Sequence, residues 1–397
     1  MNAYLESNKA VACCGCSACT SVCPTSCIEM QEDRDGFLFP VLISADKCIN
    51  CNLCKKVCPI EHPFKNEGEL QAFGAYSVDD EKLKNCSSGG IFPELSDYVL
   101  NEGGCIYGAV FDDNWNLHHD RASNQEELNR QYGSKYVQSC IGGCYSDCKE
   151  SLEKGQLVLF TGTPCQIAGL RNFLRKEYDT LFTLDVICHG VPSTKMFHAY
   201  LSTLEKKHGG NICEVVFRDK SKNGWSITLK YSIKKKNGKI NSYFYKSSDS
   251  SYFSAFLKGM IARESCYHCP FSTLSRPGDL TLGDFWGYQK TRPELKNHMG
   301  LSLVLCNSPK GEQLLDILRE RNVFFAEVTE DSIRQSENKN LYYPTKRNNT
   351  RDVIYEELER QGYRYLEKHL IPVRKKSVVI KEKIRRYLSN LIHRNGK

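Results

Sequence analysis

Between Gln71 and about Asn307, runs of apolar residues alternate with stretches that are apolar on one side only. The runs at 105–111 (CIYGAVF), 157–161 (LVLFT), 181–188 (LFTLDVIC) and 279–283 (DLTLG) are nearly unbroken, as expected of strands buried on both faces. Residues 93–101 predict a short helix stopped by Gly103-Gly104, and residues 166–176 predict another. Strand, helix and strand over 157–188 predict a βαβ unit, with parallel strands and a right-handed crossover. Residues 1–60 are instead crowded with cysteine, and a polar connector follows at 62–70. The last ninety or so residues are charged, poor in cysteine and mostly helical in pattern. The fold class that results is α+β multidomain. A small cysteine-rich domain (1–66) precedes a mixed α/β domain (71–310), and a helical C-terminal region with a basic tail (311–397) ends the chain.

Composition narrows the function classes. The 397 residues are 40% apolar and 25% charged, ordinary for a globular protein. No apolar run is long enough for a transmembrane helix, and the N-terminus lacks the pattern of a secretory signal, so a cytoplasmic protein is expected. The net charge of +7 is local: residues 373–397 hold nine Lys or Arg and one Glu. Without that tail the balance is close to neutral, and no aromatic spacing makes a stacking platform, so nucleic acid is not an expected partner. Within the tail, residues 378–392 set Ile380, Ile384, Leu388 and Leu391 on one side. Two readings stay open there: a basic amphipathic helix on an anionic membrane surface, or a terminal helix packing its own stripe.

Cysteine carries the chemistry. There are 21, an odd count, and ten fall within residues 13–58. In a reducing compartment such clustering means metal ligation rather than disulfides. Cys13, Cys16, Cys19 and Cys23-Pro24 give C-x2-C-x2-C-x3-C-P, and Cys48, Cys51, Cys54 and Cys58-Pro59 repeat it. Three thiolates at x2 intervals wrap one cubane, and the fourth reaches the other. One [4Fe–4S] cluster is therefore expected on Cys13, Cys16, Cys19 and Cys58, and a second on Cys48, Cys51, Cys54 and Cys23. Gly15, Ser17 and Ala18 leave room for backbone N–H bonds to sulfur. Paired zinc knuckles would be spaced differently. Cys14 and Cys27 are left as spare thiols, although Cys14 sits beside a ligand. Cys140, Cys144 and Cys148 recur every four residues, one helical stripe packing as small hydrophobes, with Gly142-Gly143 weakening that helix.

Five strings follow in order: CSSGG at 86–90, GSKYVQS at 133–139, GTPCQIAG at 162–169, ICHGVP at 187–192 and GDFWG at 283–287. Together they resemble the coenzyme F420 hydrogenase/dehydrogenase beta-subunit family, here fused to a ferredoxin-type N-terminus, over residues 1–310. The resemblance implies a flavoprotein that holds FAD beside a [4Fe–4S] cluster and exchanges a hydride with a two-electron partner. The residues suit that chemistry. Ser87, Ser88, Gly89 and Gly90 open a helix whose free N–H groups could hold a phosphate or a flavin edge. Lys135 could neutralise pyrophosphate or reduced flavin. Gly162 and Thr163 lie at the carboxyl end of a parallel strand, where α/β sheets place ligands. The family also implies a cluster here. Cys165, Cys188, Cys266 and Cys269 could converge at one sheet edge and bind a third [4Fe–4S] cluster; zinc, or no ligand at all, would suit the same four. His189 reads as a hydrogen-bonding core residue.

The archaeal members generally lack this two-cluster head. Its fusion suggests one-electron traffic with ferredoxin or another redox protein, and similar bacterial fusions accompany surface-polysaccharide biosynthesis. Two functions follow: an iron–sulfur flavoprotein oxidoreductase linking a hydride donor or acceptor to one-electron carriers, or a non-catalytic subunit wiring a partner enzyme to ferredoxin. Bound flavin separates them.

Overall fold

A computed structural model describes residues 1–64, 66, 69–295 and 297–373. Its strands are β1 (Ile28–Glu32), β2 (Leu38–Leu42), β3 (Gln71–Ser77), β4 (Cys105–Phe111), β5 (Leu117–Ala122), β6 (Val158–Gly162), β7 (Leu181–Val186), β8 (Asn211–Val216), β9 (Thr228–Lys234), β10 (Ile240–Lys246), β11 (Leu280–Asp284), β12 (Ser302–Cys306) and β13 (Val323–Glu327). β1 and β2 form a hairpin, β8–β10 an antiparallel sheet, and the other eight a mixed sheet in the order β13-β3-β12-β11-β7-β6-β4-β5. At its centre β4, β6, β7 and β11 are parallel, and every strand outside them is antiparallel to its neighbour. The parallel strands are the apolar runs of the sequence, because both of their faces are covered.

The predicted βαβ unit is present. β6 and β7 pair in parallel through Phe160 opposite Thr183, with helix Pro164–Leu174 between them. The expected stop at Gly103-Gly104 is there too: helix Ile91–Asn101 ends at Glu102, and Gly103 takes a φ of +72°. β7 ends at Val186, so Cys188 lies in the turn beyond it rather than in the strand.

Two local expectations change. β13 lies in the stretch whose pattern is mostly helical, yet it forms the sheet edge beside β3. Val-Phe-Phe-Ala is too short a run to stand out there. It is held by Phe325 against Phe73 and by Phe324 stacked on Tyr76. The cysteine stripe is only partly helical: with Gly142 at a φ of +54°, the helix begins at Cys144, and Cys140 instead bridges to His118. Cys144 and Cys148 do pack as core residues. Residues 378–392 lie outside the described residues.

The cysteine-rich head shares its core with the body. Phe37 and Phe39 join a cluster with helix Thr194–His208, helix Ser251–Leu257 and the helices Arg351–Gln361 and Tyr363–His369. Cys16, Ala18 and Val57 join the cluster around Phe160 and Ile167. Gly169 comes close to the head: a Cβ there would stand 3.0 Å from the Cys16 sulfur. Among the described residues no helix is long and apolar enough to cross a membrane.

Candidate metal centres and cofactor cavity

The two C-x2-C-x2-C loops share one backbone trace. Gly15 and Ser17 have φ of +72° and +64°, and the matching Asn50 and Asn52 have +52° and +57°. Each loop thus turns twice through the left-handed region, which glycine and asparagine tolerate best. A short helix follows each, Ala18–Ser21 and Leu53–Lys56. Cys23 crosses over and lines one small cavity with Cys48, Cys51 and Cys54. Cys58 instead faces Cys13, Cys16 and Cys19. Burial, and then the nearness of Cys13 and Cys58, pushes the Cys19 thiol far up. Such a pocket keeps thiols protonated until a metal takes them as thiolates. Among the described residues no three His, Cys, Asp or Glu side chains are grouped as around a single metal ion. A cubane requires no such grouping, because each of its thiolates binds a different iron and the sulfurs stand farther apart.

Cys165, Cys188, Cys266 and Cys269 come together. Burial raises the Cys266 thiol, followed by the nearby Cys188, Cys269 and Cys165; Cys269 also lies close to Cys165. Cys165 sits in the first turn of helix Pro164–Leu174, capped by Thr163 and Gln166. Gly190, with φ of +93°, donates its N–H to the Cys188 sulfur at 3.4 Å, as Gly15 does to Cys13 at 3.4 Å. Each glycine closes a Cys-x-Gly turn over a sulfur. Cys14, a spare thiol by spacing, lies against Cys16 and Cys165 and thus between the first and third cysteine sets.

A cavity of about 420 Å³ opens beside this third set. It is within the range that takes cofactors. All five sequence strings line it, through Ser87, Ser88 and Gly90, Lys135, Gly162 and Thr163, Cys188, and Asp284. The candidate residues differ in how free they are. Ser87 Oγ accepts from the N–H of Ser134 at 2.6 Å. Ser88 Oγ donates to the Leu301 carbonyl at 3.1 Å. Gly89 is wedged between strands, where a Cβ would stand 2.4 Å from the Ala75 oxygen, so it shapes the turn behind the wall. Lys135 Nζ donates to the carbonyls of Gln131, Tyr132 and Gly133, three acceptors for the three protons of an ammonium. Burial opposes that charge and pushes its pKa down to about 7. Gln131 Oε1, on the cavity wall, is a buried acceptor without a partner among the described residues.

Several wall residues carried no prominent sequence signal. Arg218, just beyond β8, forks onto Asp284 at 2.5 and 3.0 Å, and Trp225 Nε1 donates to the same carboxylate at 2.7 Å. Trp286 stacks on Trp225 at 4.1 Å. Asp284 and Trp286 stand in the GDFWG string, but nothing local marks Arg218. His119 is buried on the wall, its Nε2 donating to the Thr161 carbonyl at 2.9 Å and its Nδ1 accepting from Ser139 Oγ at 2.7 Å. Burial pushes its pKa down to about 4. His189, expected as a core residue, is instead exposed; it lies beside Asn340, and desolvation lowers its pKa.

Comparison with known proteins agrees with the two-part composition. Residues 12–61 match the family model of the 4Fe-4S dicluster domain. Residues 155–332 match that of the C terminus of the coenzyme F420 hydrogenase/dehydrogenase beta subunit. No curated protein matches the chain. Among solved structures, a chain of the xenon-derivatised F420-reducing [NiFe] hydrogenase complex from Methanosarcina barkeri is 18% identical, with a TM-score of 0.43. The likeness covers 70% of this chain and 90% of that one.

Proposed function

We propose that this chain, which joins a 4Fe–4S dicluster domain to the C-terminal domain of the coenzyme F420 hydrogenase/dehydrogenase beta-subunit family, is a cytoplasmic oxidoreductase linking a two-electron partner to one-electron iron–sulfur carriers. The observation that carries this reading is the line of cysteines. Cys48, Cys51, Cys54 and Cys23 lie at the outer end, where Cys51 is exposed. Cys13, Cys16, Cys19 and Cys58 come next and are packed against the body. Cys14 leads to Cys165 and Cys188, on the wall of the cavity, with Cys266 and Cys269 close behind them. The first two sets are assigned one cubane each, with the fourth ligand exchanged between motifs, and the last set a third.

The cavity is assigned to FAD. Its size suits part of a flavin nucleotide. Helix Ile91–Asn101 opens onto it through Gly90, and Gln131 Oε1 offers an unused acceptor. A flavin bound there would supply hydride exchange on one side and single-electron exchange on the other. The chain's own part is to position it: Thr163 and Gln166 fix the turn that carries Cys165, while Arg218, Asp284 and Trp225 brace the opposite wall. A ferredoxin or a similar redox protein is the partner proposed for the outer end.

Anaerobic purification of the full chain, with iron counting and acid release of flavin, tests the assignment. About twelve iron per chain and one FAD are expected. Clusters without flavin, even after reconstitution, would leave an electron-transfer subunit rather than an enzyme.

A further inference from the structure

Among the described residues four arginines are buried: Arg218, Arg263, Arg276 and Arg351. Three are paired with carboxylates, Arg218 with Asp284, Arg276 with Asp185 and Arg351 with Asp35. Arg263 is fully buried, yet no ion pair is found for it among the described residues. Its Nε donates to the Cys13 carbonyl at 2.8 Å and its Nη1 to Gln138 Oε1 at 3.2 Å. Among the described residues its buried Nη2 has no hydrogen-bond partner. The guanidinium lies 3.9 Å from the Phe39 ring centre and 5.6 Å from that of Phe37. Neutral carbonyls and ring faces soften an isolated buried cation but do not balance it. A group of opposite charge is required at this place.

The surroundings identify it. Arg263 lies against the Cys13–Gly15 loop, where a Cβ on Gly15 would stand 3.0 Å from Nη1. It also begins the turn Glu264–His268 that carries Cys266, and its charge reaches Cys165. We infer that Arg263 is the counter-ion of the cluster held by Cys13, Cys16, Cys19 and Cys58, and that it raises that cluster's reduction potential above what the thiolates alone would set. This rests on the cluster assignment proposed above. A four-thiolate [4Fe–4S] cluster is negative in both states and gains a further negative charge with one electron. A fixed cation beside it therefore favours the reduced form, and at low dielectric the effect is barely screened. Among the described residues no buried arginine reaches the outer set, so the inner cluster becomes the better electron acceptor and electrons entering at Cys51 are drawn toward the cavity.

The test is an EPR-monitored redox titration of the anaerobically purified full chain, with dithionite as the electron source, in wild type, Arg263→Gln and Arg263→Lys. In Arg263→Gln one cluster should become harder to reduce, its reduced-to-oxidised ratio at fixed potential falling at least about tenfold, or about 59 mV for a one-electron couple. The other ferredoxin-domain cluster should not move, and Arg263→Lys should restore the wild-type curve. Unmoved curves in an iron-loaded Arg263→Gln protein overturn the inference. If that variant loses iron, Arg263→Lys decides: a wild-type potential supports the counter-ion role, and a lowered one overturns it because the charge was kept. Iron loss in both overturns it too, since the residue would then be a brace. A wild type with no [4Fe–4S] signal refutes the ligand assignment itself and this inference with it, whereas an unmoved signal refutes this inference alone.

Discussion

Replacing Asp185 with alanine removes the anion from the most completely buried ion pair at the cavity edge. Asp185 and Arg276 have side-chain exposures of 0% and 1%. The carboxylate accepts from Arg276 Nε at 3.1 Å and Nη2 at 2.8 Å, from Thr281 Oγ1 at 2.8 Å and from the Gly278 N–H at 2.8 Å. Arg276 also donates to the carbonyls of Phe271 and Val186, which keeps it in place when its partner is gone. The stranded guanidinium then has only neutral acceptors, and breaking such a pair costs about 3–5 kcal/mol. Against a total of about 5–15 kcal/mol that is a large fraction of the fold's stability. The urea midpoint of the full chain, followed by far-UV circular dichroism, should fall steeply in Asp185→Ala. Replacing both residues together, Asp185→Leu with Arg276→Met, should recover most of the loss, because an apolar pair strands no charge. The reasoning fails if the single variant loses less than about 1 kcal/mol, or if the double variant is no better than the single. The same pair joins β7 to the turn after Cys266 and Cys269, so iron bound by the third set should be lost along with stability.

Four other outcomes follow. Cys58→Ser should empty the same cluster as Cys13→Ser, so the double variant loses no more iron than either single one; Cys58→Ser with Cys48→Ser should lose twice as much, measured by iron content and EPR. Gly169→Leu overfills the seam where the head meets helix Pro164–Leu174; about 1–3 kcal/mol of stability and much of the electron transfer from head to body should go, read by denaturation and by stopped-flow reduction with ferredoxin. His119 is held neutral by burial, with a folded pKa of about 4 against an ordinary 6.5. The unfolded chain therefore binds the extra proton, and stability should fall as pH drops from 6.5 toward 4, by up to about 1.4 kcal/mol per unit, a component that His119→Gln should abolish in urea titrations. Trp286→Ala removes the ring stacked on Trp225 at the cavity wall, and equilibrium dialysis with FAD should show weaker binding; unchanged affinity would place the flavin elsewhere.

The head was legible because cluster ligation is a local demand. Four thiolates must leave the backbone at set intervals, so the spacing of Cys13 to Cys23 and of Cys48 to Cys58 states the chemistry without a fold. The central strands were legible for a similar reason: full burial on both faces leaves unbroken apolar runs such as CIYGAVF. What joins distant segments was not. β13 has too few residues to mark itself and is a strand only because β3 offers it an edge and aromatic partners. Cys14 looked idle by spacing, and only the docking of head on body sets it between Cys16 and Cys165. Lys135 read as a free cation, and only the end of helix Gln125–Gln131 shows its protons already taken by three carbonyls. Arg263 had no motif at all; its meaning lies in what surrounds it, a shell that among the described residues supplies carbonyls and rings but no carboxylate. Periodicity and spacing report what each segment needs of its own residues, while charge balance and cofactor fit depend on which segments meet, and that is decided by packing across the whole chain.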